Sequence, residues 1–199
     1  MEKVKDLVLY QVATDRNYKV GDKIVFDKST ITGQYEKTMN LIAKDDKGRI
    51  CDKLYEIANS RFKRLSKKKI LEVAILMDAY DVAIRDLAME NVRQQFFPDY
   101  PSRMHAMYLS ENKAQTLRYM EEKATIKGKT YQAVAVKLNG VIFRAGIKDC
   151  MIRRSGQSYS FYEEKAKAYW SQKCPKGQAV EVVFEGEAEI VEILKEIKT

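Results

Sequence analysis

Histidine occurs once in this chain of 199 residues, at His105, and cysteine three times, at Cys51, Cys150 and Cys174. One imidazole excludes any site that needs two. An odd, widely scattered set of cysteines fits reduced thiols better than a disulfide framework or a zinc site, and no metal is expected. A Ser-His-Asp triad would have to use His105, inside a predicted strand, where a lone histidine is more often structural. No Gly-Lys-Ser or Gly-Lys-Thr triplet closes a glycine loop, and no Gly-x-Gly-x-x-Gly is present, so neither phosphate-cradling loop exists. Arginine, carboxylate, amide and tyrosine side chains remain. Arg103 follows Pro101-Ser102 and has two readings, a bidentate clamp on a pyrophosphate or a salt bridge that pins its own loop. Glu181 and Glu185 are both odd-numbered on one predicted strand and therefore share a face.

The charge balance is 36 Lys+Arg against 28 Asp+Glu, a formal net charge of +8. That excess favours polyanionic partners, phosphate-bearing cofactors or an acidic protein. It is concentrated in Arg61-Phe62-Lys63-Arg64-Leu65-Ser66-Lys67-Lys68-Lys69. This block reads either as a solvated loop between helices or as a patch for nucleic acid, with Arg61, Lys63, Arg64, Lys67, Lys68 and Lys69 as its cations. Hydrophobic residues make up 45% and charged residues 32%, a globular composition. No apolar run approaches the roughly 20 residues of a membrane helix, and the charged start lacks a secretory core. A cytoplasmic protein is expected.

Several elements must position these residues. Leu7 to Val12 is apolar and reads as a strand, and Gly21-Asp22 is a turn leading into a short extended run. Ser29 or Thr30 is suited to cap a helix through about Ala43, and Cys51 to Arg64 reads as helical. Lys68 to Phe96 carries the strongest helical periodicity, with Met77 and Met89 on its apolar face. Glu72, Asp78, Asp81, Arg85, Asp86 and Arg93 fall on the opposite, polar face. Pro98 stops it. Met104 to Leu109 reads as a strand, and Ser110 as the cap of a helix running to about Ala124. Tyr131 to Leu138 alternates as a half-buried strand, and Asn139-Gly140 signals a hairpin returning along Val141 to Arg144. Ser160 to Gln172 reads as a helix whose Tyr169-Trp170 packs on the sheet. Ala179 to Glu185 and Glu187 to Leu194 read as two strands joined near Gly186. The layout predicts an α+β fold with a split antiparallel β-sheet and a helical segment inserted after the first strands.

Two resemblances attach to these segments. Leu9-Tyr10-Gln11-Val12-Ala13-Thr14, followed by Tyr18-Lys19-Val20-Gly21-Asp22-Lys23-Ile24, resembles the opening of small bacterial ADP-ribosyltransferases, including the rifamycin-modifying ones. Met107-Tyr108-Leu109-Ser110-Glu111, leading into a helix with Ala114 and Tyr119, resembles their second motif. The chain as a whole is similar to a bacterial family of unannotated function, through Glu90-Asn91-Val92-Arg93, Phe97-Pro98-Asp99-Tyr100-Pro101-Ser102-Arg103, Ala168-Tyr169-Trp170 and Val183-Phe184-Glu185-Gly186.

The transferase resemblance implies one domain over 1–199, with a helical insertion at about 30–97, that splits NAD as its substrate and moves ADP-ribose to an acceptor. The transition state of such a reaction is oxocarbenium-like. It needs an aromatic face for nicotinamide, a polar side chain for the ribose and a carboxylate for developing positive charge. The resemblance assigns these roles to Tyr108, to Gln11 and to one of Asp149, Glu181 and Glu185. Tyr10, Thr14, Arg103 and Ser110 are further candidates for holding the nucleotide. Gln11 stands where the family carries histidine, although an amide still offers a donor and an acceptor. The alternatives are a catalytically inactive module of the same fold that binds nucleotide or nucleic acid, and a plain nucleic-acid binder using the basic block.

Overall fold

The computed structural model describes residues 1–33, 35, 36, 66–146, 157–171 and 180–199. Within them lie strands β1 (Glu2–Thr14), β2 (Lys23–Phe26), β3 (Met107–Leu109), β4 (Thr130–Gly146) and β5 (Val180–Lys198), and helices α1 (Lys67–Phe96), α2 (Lys113–Lys123) and α3 (Tyr159–Ser171). The fold is α+β, with one five-stranded antiparallel sheet.

β4 and β5 form the spine of the sheet. β1 pairs with one edge of β4, while β3 and β2 sit end to end on the far edge of β5, at Val182–Phe184 and Gly186–Glu189. The sheet curls on itself. Ser110, just past β3, exchanges both backbone hydrogen bonds with Tyr10 on β1, at 3.0 and 2.8 Å. Strands β1, β4, β5 and β3 thus close around a core of Leu9, Leu109, Val134, Leu138, Ile142, Phe184 and Ile190. A second core, with Met89, Val92, Phe143, Ala166, Tyr169 and Trp170, joins α1 and α3 to the outer face of β4. A third seats Met120 of α2 on Tyr131 and Ala133. With helices on its faces, β4 is buried on both sides, and its alternating sequence does not mark a half-exposed strand.

The Asn139-Gly140 hairpin does not form, because β4 runs straight through it. The type I′ turn that Asn-Gly favours needs positive φ at both central residues, and among the described glycines only Gly21, Gly128 and Gly186 have it. Gly140 instead lies opposite Gly186, so close that a Cβ on Gly140 would stand 2.2 Å from the Glu185 carbonyl oxygen and 2.8 Å from the Gly186 Cα. Asn139 uses its side-chain oxygen to accept from the backbone N–H of Asp6, which has φ 54° at an irregularity in β1. Nor does Gly186 separate two strands: β5 is continuous through it.

Smaller corrections follow the same logic of local hydrogen bonds. Asn112, not Ser110, caps α2, its Oδ1 accepting from the Gln115 N–H at 2.9 Å, while Ser110 Oγ accepts from the Asn112 N–H. Thr32, rather than Ser29 or Thr30, accepts from Tyr35 N–H at the start of the helical turn near residue 33. Only Met107–Leu109 is strand; residues 103–105 turn, and His105 packs its ring 5.0 Å from Tyr35 and places Nδ1 2.7 Å from the Thr30 carbonyl. Met77 is 54% exposed, whereas Met89 is core. Asp86, Glu90 and Arg93 are buried rather than solvated. Nearly all of the helices expected through Ala43 and over Cys51 to Arg64, and the segments holding Cys150 and Cys174, lie outside the described residues.

Candidate functional site

Where β1, β3 and the start of β5 converge, the curl of the sheet leaves a cleft of about 460 Å³, walled by α2 and by one residue of α1. Tyr10 and Gln11 enter from β1, Tyr108 from β3, Glu181 from β5, and Arg103 from the loop before β3. Ser110 lines it as well, beside its backbone bridge to Tyr10. These residues are separated by up to 171 positions along the chain, yet the strand register brings them to one place.

The loop that delivers Arg103 is held by a buried network. Arg93 donates to both carboxylate oxygens of Glu90, at 3.0 and 2.7 Å, and its remaining N–H groups reach the carbonyls of Pro98 and Tyr100. Ser102 Oγ donates to Glu90 at 2.9 Å, and the Ser102 backbone N–H donates to Glu185 Oε1 at 2.7 Å. A buried pair that broken hydrogen bonds would make costly is here fully partnered. Glu185 therefore sits in the scaffold behind the cleft, not in its lining.

Arg103 itself is stacked. Its guanidinium carbon lies 5.0 Å from the Tyr108 ring centre and 5.1 Å from that of Tyr169, within cation–π distance of both. It ion-pairs with Glu181 and donates to the Tyr169 hydroxyl at 2.8 Å, and that hydroxyl donates to the same Glu181 oxygen at 3.0 Å. Tyr108 returns its hydroxyl to the Arg103 carbonyl. Of the two readings of Arg103, the structure displays a salt bridge at the cleft. Glu181 and Glu185 do share a face of β5, and they grip adjacent residues of one loop.

Gln11 is different in kind. Its side-chain oxygen is buried without a hydrogen-bond partner among the described residues, a costly state for an amide. Thr14 is exposed at the far end of β1 and lies outside the cleft. Asp149 lies outside the described residues, as do Arg61, Lys63, Arg64 and the side chains of Lys68 and Lys69; Lys67 is exposed at the start of α1. Trp170 packs as expected, donating to the Met89 carbonyl at 2.8 Å.

Four further polar lining residues were not singled out from sequence as site candidates: Arg85 on α1, and Gln115, Thr116 and Lys123 on α2. Tyr119, noted only as part of a motif, belongs with them. Its spacing of four from Lys123 was the available signal. Three cations and one carboxylate line the cleft, together with three tyrosines, a lining that suits an anionic, ring-bearing ligand. Among the described residues, no three His, Cys, Asp or Glu side chains cluster as a metal site requires. No described helix is long and apolar enough to cross a membrane.

The fold and cleft define an α+β protein with a curled antiparallel sheet and a basic, tyrosine-lined cavity. Over residues 9–196 the chain matches the model of the family described as protein of unknown function (DUF2441), and it belongs to that family. A comparison with the curated proteins finds no match.

Proposed function

We propose that the cleft binds NAD and that the protein transfers ADP-ribose from it to an acceptor, on a split sheet of the ADP-ribosyltransferase-like type with residues of about 30–97 inserted. The observation that carries this reading is that Gln11, Tyr108 and Glu181, from three strands far apart in sequence, line one cleft. In this reading Tyr108 offers its ring to nicotinamide and Gln11 spends its unpartnered oxygen on a ribose hydroxyl. The bond between ribose C1′ and the nicotinamide nitrogen breaks, and its electron pair leaves with neutral nicotinamide. The acceptor then bonds to C1′ and gives up its proton. Glu181 steadies the positive charge that develops between these events. The net charge of +8 favours a polyanionic acceptor, nucleic acid before protein.

A second reading has its own support. The Glu181 carboxylate is already engaged by Arg103 and Tyr169, and Gln11 replaces the histidine of the resembling enzymes. Both facts favour a module of the same fold that binds nucleotide without turnover.

Titration with NAD, followed by melting temperature and nicotinamide release, separates the two. The transferase reading expects both a rise in melting temperature and release, with Gln11→His increasing release. A melting shift with no release from either protein favours the binding module. Absence of both effects rejects NAD as the ligand.

A further inference from the structure

We infer that the lip of the cleft on α2, formed by Tyr119 and Lys123, is a subsite for the adenylate half of a nucleotide. The inference deepens the proposed function by assigning one end of the ligand.

The cleft has a direction. α2 begins just after Ser110, whose backbone is tied to Tyr10, and Tyr108 lies two residues further back. The helix then runs along β1, with Leu117 and Val12 packed about the buried Met120 and Tyr131. Gln115, Thr116, Tyr119 and Lys123 follow one another at steps of one, three and four and line the cleft on one face of the helix. From 115 to 123 this face extends about 12 Å at the usual helical rise. Tyr108 thus marks one end of the cleft, and the Tyr119–Lys123 pair marks the other.

The far end carries what a nucleobase and its phosphate need. Tyr119 is a large aromatic left 44% exposed, on a helix that buries only Thr116 and Met120. Lys123 Nζ sits 4.7 Å from its ring centre. The adjacent acids are committed elsewhere, Glu122 to Arg118 at 2.9 Å and Glu121 to Lys195 at 2.6 Å. Among the described residues, Lys123 has no carboxylate within ion-pair distance. The other two lining cations are engaged, Arg103 by Glu181 and Arg85 by Asp86 at 3.0 Å, so phosphate charge is best met at the lip. An exposed tyrosine ring and its adjacent ammonium supply a stacking surface and a phosphate contact once Lys123 turns from the ring to the phosphate.

The test is calorimetric titration of the full chain with AMP, NAD and nicotinamide mononucleotide, using wild type, Tyr119→Ala and Lys123→Ala. Both side chains are exposed, so the variants should fold as wild type does. AMP and NAD are expected to bind, and Tyr119→Ala to weaken both by about tenfold, the loss of one stacking contact. Lys123→Ala is expected to weaken AMP and to flatten its salt dependence, while nicotinamide mononucleotide keeps its wild-type affinity. Equal AMP and NAD affinities in wild type and Tyr119→Ala overturn the subsite, as does failure of wild type to bind AMP at millimolar concentration. If AMP binds through Tyr119 and NAD releases no nicotinamide, the subsite stands and the transferase reading fails. If NAD is split with unchanged KM in both variants, the transferase reading stands and the subsite fails.

Discussion

Arg103 and Glu181 form an ion pair at the cleft whose cation lies 5.0 and 5.1 Å from the ring centres of Tyr108 and Tyr169. The pair joins the loop before β3 to β5, so one contact fixes both a proposed catalytic carboxylate and the tyrosine beside it. Its side chains retain only 11% and 18% exposure.

Removing the cation alone should therefore be costly. Arg103→Gln is expected to lose about 3 kcal/mol, the low end for breaking a buried pair, because the carboxylate keeps Tyr169 as a donor. Arg103→Lys keeps the charge but not the flat stacking surface, and should lose about 1 kcal/mol. Urea unfolding midpoints decide this, and an unchanged midpoint for Arg103→Gln contradicts the structural role given to the pair.

The contact between Gly140 and Gly186 makes a prediction about the spine of the sheet. A Cβ at Gly186 would meet the Asn139 carbonyl oxygen at 2.4 Å and the Gly140 Cα at 2.7 Å, and its φ of +137° disfavours any side chain. Gly140→Ala should cost ~1–3 kcal/mol by overpacking, and Gly186→Ala should cost more because strain adds to the clash. The double variant should cost less than the sum, since either methyl forces the same separation of β4 from β5. Wild-type stability in either single variant is inconsistent with this register.

A pH dependence follows from the packing of α1 against α3. Tyr162 is buried and donates its hydroxyl to Asp81 Oδ1 at 2.5 Å. Burial first, then the hydrogen bond to Asp81 and its charge, push the phenol well above its ordinary value of 10.0. The unfolded chain ionises this group near its ordinary value, and the folded chain only at much higher pH. The contribution is thus complete below about pH 10 and is lost as pH rises beyond it. Burial moves Tyr18 in the same direction. Stability should fall steeply above about pH 10, and Tyr162→Phe, about 1 kcal/mol less stable at pH 7, should show a shallower fall, with Tyr18 and the ion-paired Lys129 and Lys137 contributing to the remainder. Identical slopes in the two proteins above pH 10 refute the assignment.

The sequence revealed what local signals control. The periodicity of α1 predicted a helix from Lys68 to Phe96, one residue from its observed start, and the run Leu7 to Val12 lies inside β1. It misled where a residue type answers to a distant partner. Asn139-Gly140 has the composition of a turn, but its glycine is required by Gly186, 46 residues on, and its asparagine by Asp6. Arg93 and Glu90 have the spacing of a solvated helix pair; the loop through Pro98 and Tyr100 folds back over them and supplies the missing partners. Glu181 could be named because strand alternation sets its face, and Gln11 and Tyr108 only through the motifs that resemble the transferases. Their meeting in one cleft depends on the curl that bonds Ser110 to Tyr10, which no local pattern encodes.

The central claim is that Tyr108, on β3 in the wall of the cleft, belongs to a site that splits NAD. Nicotinamide release by wild type and by Tyr108→Ala, with folding of both verified by circular dichroism, tests it most directly. The account predicts release by wild type and its loss in Tyr108→Ala. Equal release from the two proteins, or none from wild type, contradicts it.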